Sequence, residues 1–80
     1  MKMTKKEYVE KFLSPAVVAA ETGIKMVEYV TNEKSYVDSV GKFHYLEELV
    51  VVYNNDYVDI VNVEMDSLSA MFYDFARRIF

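Results

Sequence analysis

The sequence predicts one small two-layer α+β domain over residues 1–80, with N-terminal helices, an antiparallel β-hairpin and a C-terminal helix, and with a third strand as an alternative. Three observations lead to this prediction. Segments 46–53 and 57–64 are rich in β-branched and aromatic residues and flank a run of Asn and Asp, which is typical of a hairpin. Apolar residues recur at helical spacing before and after it. A chain of 80 residues is also short enough to form a single domain.

The N-terminal part predicts two helices, over 4–13 and 15–31. Thr4 and Glu7 have the spacing of a capping box, and Ser14-Pro15 is typical of an N-cap followed by proline at the first helical position. The polar residues of the second segment recur with a 3.6-residue period, which favours a helix up to residue 31. An alternative remains open, in which the helix ends at Gly23 and the β-branched segment 24–31 forms a strand beside the hairpin.

The hairpin is predicted to turn at Asn55-Asp56, because Asn and Asp tolerate the positive φ of a two-residue turn. In that register Tyr53, Val58 and Ile60 share one face of the sheet. Both faces are mostly apolar, and a three-residue turn would not change this, so each face requires a cover. Segment 43–46 either extends the first strand backwards or forms a short strand of its own.

A closing helix is predicted over 67–79, with Asp66 or Ser67 as N-cap and basic residues in its last turn. Its main apolar stripe is expected to cover one face of the hairpin. A second apolar line, which contains Tyr73, Ala76 and Phe80, lies beside this stripe. We interpret that line as an oligomer interface, because 52% of the residues are hydrophobic and a domain of this size has little interior.

Composition gives little support for catalysis. The chain has no cysteine and only two glycines, and motifs that bind phosphate need closely spaced glycines. His44 is the only histidine, and it is assigned no role, because a lone histidine in an aromatic segment is more often structural. We therefore expect that the chain is not an enzyme and that it binds no cofactor and no metal ion. Nothing resembles a signal peptide or a membrane span, so a cytoplasmic protein is expected.

The charge is divided unevenly along the chain. Residues 43–76 contain seven acidic residues and no Lys or Arg, so this half is expected to be repelled by nucleic acid and attracted to a basic protein surface. The simpler alternative is that the carboxylates only keep an apolar protein soluble. On the first interpretation, acidic and apolar residues together bind the partner: Glu47, Glu48, Tyr53, Asp56, Val58, Asp59, Ile60 and Glu64.

The C-terminal residues also resemble a known group of proteins. The runs Val52-Tyr53-Asn54-Asn55-Asp56-Tyr57, Val61-Asn62-Val63 and Asp66-Ser67-Leu68-Ser69-Ala70-Met71 look like the ending of small proteins encoded by phages and mobile elements of Gram-positive bacteria. In size, acidity and layout the chain is similar to some anti-CRISPR proteins, which are phage inhibitors that occupy nucleic-acid sites on their targets. The resemblance implies a non-catalytic inhibitor of a host protein in the host cytoplasm, and assigns no residue a role. The alternative is a self-associating structural protein.

Overall fold

The computed structural model describes residues 3–79 and confirms the α+β fold. An N-terminal helix is followed by five strands. The first, fourth and fifth strands form, in that spatial order, a three-stranded antiparallel sheet, and the second and third strands form a separate two-stranded sheet. A C-terminal helix, Leu68–Ile79, follows. In chain order the strands are β1 (Ile24–Thr31), β2 (Tyr36–Val37), β3 (Phe43–His44), β4 (Glu47–Tyr53) and β5 (Val58–Asn62).

The N-terminal helix runs without a break through three consecutive segments, Lys5–Tyr8, Val9–Leu13 and Ser14–Ala19. Thr4 caps it as predicted, since its hydroxyl accepts a hydrogen bond from the amide of Glu7 at 3.1 Å. The predicted break at Ser14-Pro15 is wrong. Val9–Leu13 is a π-helical segment, and its wider turn accommodates the proline ring, which would otherwise collide with the carbonyl one turn earlier.

The prediction of a helix over 15–31 is wrong beyond residue 19, and the alternative strand is the one that forms. Glu21 and Gly23 have φ angles of 55° and 85°, and these left-handed conformations end the helix and reverse the chain. Strand β1 then pairs antiparallel with β4. The polar periodicity led to a wrong prediction of helix for segment 24–31. Its β-branched residues gain more from pairing with the free edge of β4 than from continuing an isolated helix.

Ser14 connects the helix to this strand. Its hydroxyl accepts a hydrogen bond from the backbone amide of Val27 at 3.1 Å. Val27 is buried and lies on an edge strand, where an amide directed away from the sheet would otherwise lack a partner. Ser14 therefore satisfies a backbone group of β1 rather than capping a new helix.

The hairpin has a three-residue turn, Asn54-Asn55-Asp56, instead of the predicted two-residue turn. The amide of Tyr53 donates to the carbonyl of Tyr57 at 2.8 Å, and Asp56 has a φ of 68°. This combination fits a type I turn closed by a residue in the left-handed region. The register therefore differs by one position from the prediction, and Val52 lies opposite Val58.

This register gives the sheet two unlike faces. One face carries the apolar core and is covered by both helices, which contribute Val9, Leu13, Val17, Met71 and Phe75. The sheet contributes the buried side chains of Ile24, Val27, Leu49, Val51 and Val61, with Val63 just beyond β5. The opposite face, called here the outer face, carries Val50, Val52, Val58 and Ile60, all half-buried. Burial of alternate residues shows that both predicted strands are real, although only one face faces the helices.

The C-terminal helix confirms the prediction over 67–79 to within one residue. Ser67 is its N-cap, since the Ser67 hydroxyl accepts a hydrogen bond from the amide of Ala70 at 3.2 Å. Arg77 and Arg78 lie in the last turn, where their positive charge opposes the negative end of the helix dipole.

Candidate functional site

The eight residues predicted to bind a partner do not form one surface. Glu47 lies on the helix-covered face, at the edge where the N-terminal helix begins. Its carboxylate accepts hydrogen bonds from Tyr29 at 2.6 Å and from Lys5 at 3.2 Å. The Lys5 ammonium also donates to the carbonyl of Val63 at 2.8 Å. Glu47 thus fastens the helix to the sheet and is already occupied within the chain.

The electrostatics around Glu47 follow from these contacts. The hydrogen bond from Tyr29, and then that from Lys5, lower the pKa of the Glu47 carboxyl. Burial, together with the hydrogen bond to Glu47 and its negative charge, raises the pKa of Tyr29 to about 12. The lowered pKa keeps Glu47 ionised, and the raised pKa keeps the Tyr29 hydroxyl protonated. Around neutral pH Glu47 is therefore a carboxylate that accepts hydrogen bonds from Tyr29 and Lys5.

Glu48 is only 2% exposed and lies on the outer face beneath the two-stranded sheet. One of its oxygens contacts Nδ1 of His44 at 3.0 Å, and the other accepts the amide of Tyr45 at 3.1 Å. Nε2 of His44 contacts Asp38 at 2.8 Å, and the imidazole stacks on the ring of Tyr36 at 4.6 Å between centroids. A side chain this deeply buried is not accessible to a partner, so Glu48 is removed from the predicted binding set.

Both ring nitrogens of His44 face carboxylates, which decides what this cluster can do. A neutral imidazole has one N–H donor, whereas the imidazolium has two. Hydrogen bonds to Glu48 and then to Asp38 accordingly raise the pKa of His44. The hydrogen bond to His44 and the backbone amide of Lys42 lower the pKa of Asp38. In this arrangement both ring nitrogens are engaged by carboxylates within the chain, and His44 ties β3 to β4.

Sequence reasoning missed this cluster because its members carry no shared local signal. Asp38 lies in a turn, His44 in a two-residue strand and Glu48 in the central strand. The i, i+4 spacing of His44 and Glu48 is meaningful on a helix but not between two strands. Only the return of the chain over the outer face brings the three groups together.

The free edge of β5 carries most of the remaining predicted residues. Val58 and Ile60 lie on the outer face, whereas Asp59 points to the opposite face and accepts the amide of Ile60 at 2.9 Å. The Lys42 ammonium donates to the carbonyl of Val58 and lies over the ring of Tyr57. Two side chains therefore occupy backbone groups that point away from the sheet, as is common at protected edges.

Asp56 and Glu64 lie at the two ends of this edge. The Asp56 side chain is 83% exposed and pairs loosely with Lys25 at 3.5 Å, a kind of contact that contributes little. Glu64 accepts the amide of Leu46 at 3.1 Å. Tyr53 was predicted to share a face with Val58 and Ile60, and this is wrong, because the three-residue turn places it on the helix-covered face against the core.

The residues predicted as an oligomer interface lie on the helix layer. Tyr73 is largely exposed, and the guanidinium of Arg77 is 5.9 Å from its ring centroid. Ala76 lines an apolar groove of about 200 Å³ between the two helices. Phe80 lies outside the described residues. The groove lies in the helix layer and the β5 edge belongs to the three-stranded sheet, and they share no residue, so they are separate candidate surfaces.

Within residues 3–79, no three His, Asp or Glu side chains are arranged to hold a metal ion. No helix of the described chain is long and apolar enough to cross a membrane.

Comparisons of the chain with protein-family models, with curated proteins and with solved structures found no match.

Proposed function

We propose that this chain is a non-catalytic protein-binding module that inhibits or modulates a host protein. Its contact surface is the β5 edge with the adjoining outer face, made up of Asp56, Val58, Asp59, Ile60 and Glu64. The observation that carries the proposal is that three carboxylates and two half-buried aliphatic side chains lie along one sheet edge, with Asp59 on the side of the edge opposite to Val58 and Ile60. Apolar anchors within a charged rim are the usual composition of a protein-binding surface.

The charge around this edge supports a basic partner. Between residues 43 and 76 the chain has no Lys or Arg, and Lys25 and Lys42, which reach this edge from outside that range, offset only two of its three carboxylates. Glu47 and Glu48 are used internally, so the accessible negative charge is concentrated at the remaining carboxylates. Complementary charge steers a partner towards the site and disfavours phosphate-bearing ligands. The resemblance of the C-terminal third to phage and mobile-element proteins supports a host protein as the target, with the host cytoplasm as the place of action.

The mode of contact follows from the protected backbone. Addition of a partner strand along β5 would require the Val58 carbonyl and the Ile60 amide. Lys42 and Asp59 occupy these groups, and displacing them would cost two hydrogen bonds. Contact through side chains, with Val58 and Ile60 as anchors, is therefore the favoured mode.

The test compares capture of host proteins by the wild type and by a charge-altered variant. Asp56→Asn, Asp59→Lys and Glu64→Lys together remove the acidic edge, and Asn is chosen at position 56 because it tolerates the positive φ there. A host protein retained by tagged wild type and lost by this variant supports the proposal. The variant must keep the circular dichroism spectrum of the wild type.

A matched control carries the same change in net charge elsewhere. Glu10→Gln, Glu33→Lys and Asp74→Lys alter three exposed carboxylates away from β5. This control should retain the captured protein. Equal loss in both variants would mean that overall charge alone governs binding, and equal retention in both would mean that the β5 edge is not the contact surface.

A further inference from the structure

The helix layer has a gap that no side chain of residues 3–79 fills. Leu13, Ala16 and Val17 of the N-terminal helix face Phe72, Ala76 and Ile79 of the C-terminal helix across the groove of about 200 Å³. Protein interiors are normally packed as closely as organic crystals. The two alanines leave the space open between otherwise large side chains, and the walls offer almost no polar group to hold water.

Aromatic side chains project beside this groove. Tyr8 contacts Phe12 and Phe72, with ring centroids 6.0 Å and 6.4 Å apart, so the rings from both helices form one cluster. Phe12 is 53% exposed, Phe72 45% and Tyr73 64%. The same surface therefore has aromatic rings that project from it and an apolar groove beside them. We call Phe12, Phe72, Tyr73 and the groove the helix-side patch.

A patch that carries both projecting rings and a recess has the features that self-association requires. In a two-fold symmetric dimer the same residues of both copies meet, so projecting rings of one copy can enter the recess of the other. A different protein would need its own recess for the rings and its own projecting groups for the groove, in matching positions. Self-complementarity therefore favours a second copy of this chain as the occupant.

The available area is sufficient for weak association. A buried aromatic side chain contributes roughly 150–250 Å², so the exposed fractions of the three rings leave roughly 300 Å² of aromatic surface in each copy. Interfaces are roughly 56–65% apolar, which implies roughly 1,000 Å² buried in total. That value is close to the lower limit for specific interfaces.

Charge also permits this arrangement. The two helices, Lys5–Ala19 and Leu68–Ile79, carry five basic and three acidic residues, whereas the whole chain has a net charge of −4. Association through the helices brings together two layers of net charge +2 (five basic minus three acidic residues), whose mixed signs allow pairing across the interface, and it keeps the acidic edges of the two copies apart. Association through the β5 edges would bring like charges together.

We propose that the helix-side patch is the interface of a symmetric homodimer, in which the aromatic rings of each copy fill the groove of the other. The dimer leaves the β5 edge exposed and is independent of the function proposed above. Both copies would present that edge, so a dimer would display two partner-binding surfaces.

Sedimentation equilibrium between about 10 µM and about 1 mM protein tests the proposal, since this range covers weak interfaces. The wild type should change from the monomer mass of 9.3 kDa towards twice that value as concentration rises. Phe72→Lys should remain a monomer throughout. Phe12→Lys, on the other helix, should do the same and decides the matter if the first variant fails to fold.

Val37→Lys is the control, because Val37 is 60% exposed on β2, away from the helices. It should associate like the wild type, and so should the variant with the altered acidic edge. A wild type that stays monomeric at the highest concentration overturns the proposal. So does association of folded Phe72→Lys and Phe12→Lys at wild-type strength, or loss of association in Val37→Lys alone.

Discussion

Replacing Ser14 by alanine tests which of two roles this serine has: it either caps a helix that begins at Pro15 or accepts a hydrogen bond from strand β1. In the structure its hydroxyl accepts the Val27 amide, and Val27 is 4% exposed. Losing that acceptor leaves a buried donor without a partner, which costs roughly 1–3 kcal/mol. Alanine is the better helix former and returns roughly 0.5 kcal/mol. We expect Ser14→Ala to lower the free energy of unfolding by roughly 0.5–2.5 kcal/mol.

Urea unfolding measures the total effect. With a slope of roughly 1–3 kcal/mol per molar urea, the midpoint should fall by roughly 0.2–2.5 M. Stability alone does not distinguish the two roles, because the loss of a helix N-cap costs a similar 0.5–2 kcal/mol or so. Ser14→Thr retains the hydroxyl and serves as the matched variant, which we expect to keep most of the stability.

Amide hydrogen exchange makes the distinction. If Ser14 protects β1, the Val27 amide of Ser14→Ala should exchange faster relative to the amide of Leu49, which lies in the central strand. A Val27 amide whose protection relative to Leu49 is unchanged, in a variant that is nonetheless destabilised, would refute the reasoning. It would indicate that Ser14 acts on the helix instead.

Two further predictions concern the core and the histidine cluster. Leu49→Ala, at a fully buried position of the central strand, should lower the free energy of unfolding by roughly 2–5 kcal/mol. Val37→Ala, at an exposed position, should change it by no more than about 0.5 kcal/mol in the same urea titration. For His44 the pKa is raised above the ordinary value of 6.5, so its stabilising contribution is complete below that pH and is lost as the pH rises through the raised pKa. Urea midpoints measured from about pH 6 to about pH 9 should fall in the wild type and be level in His44→Gln, where there is no imidazole to titrate. Asp38, whose pKa is lowered from 3.8, contributes above that value and loses its contribution as the pH falls below it. A wild-type profile without slope above neutrality would contradict the double hydrogen bonding of His44.

The sequence allowed the hairpin and the C-terminal helix to be predicted because their signals are local. Alternating β-branched residues, a turn rich in Asn and Asp, and a serine cap act within a few residues of one another. The turn length was wrong by one residue, since Asn54 and Asn55 suit both turn types. The choice is made by the sheet, which must place Leu49 and Val61 on the face covered by the helices.

Segment 24–31 could not be settled locally. Its polar residues fit a helical period, and its apolar residues suit a strand equally well. Pairing with β4, more than twenty residues away along most of its length, decides the outcome, and such pairing is not visible in a sequence window. The same limitation applies to the candidate surfaces. Glu47 and Glu48 are neighbours in sequence, but they point to opposite faces of β4 and contact different parts of the chain.

The π-helical segment Val9–Leu13 lies between the two halves of the first helix. A π turn holds one residue more than the surrounding α-helical turns, so deleting a single residue there would produce a regular helix. Residues after the deletion would keep nearly the same orientation relative to those before it, because the longer π turn and the α-helical turn that replaces it both close roughly one turn. Ser14 would still face β1, and Val17 would still face the core. The ring of Pro15, however, would lose the wider turn that accommodates it and would collide with the carbonyl one turn earlier. The extra residue thus lets the helix carry a proline in its interior without changing which side chains face the sheet.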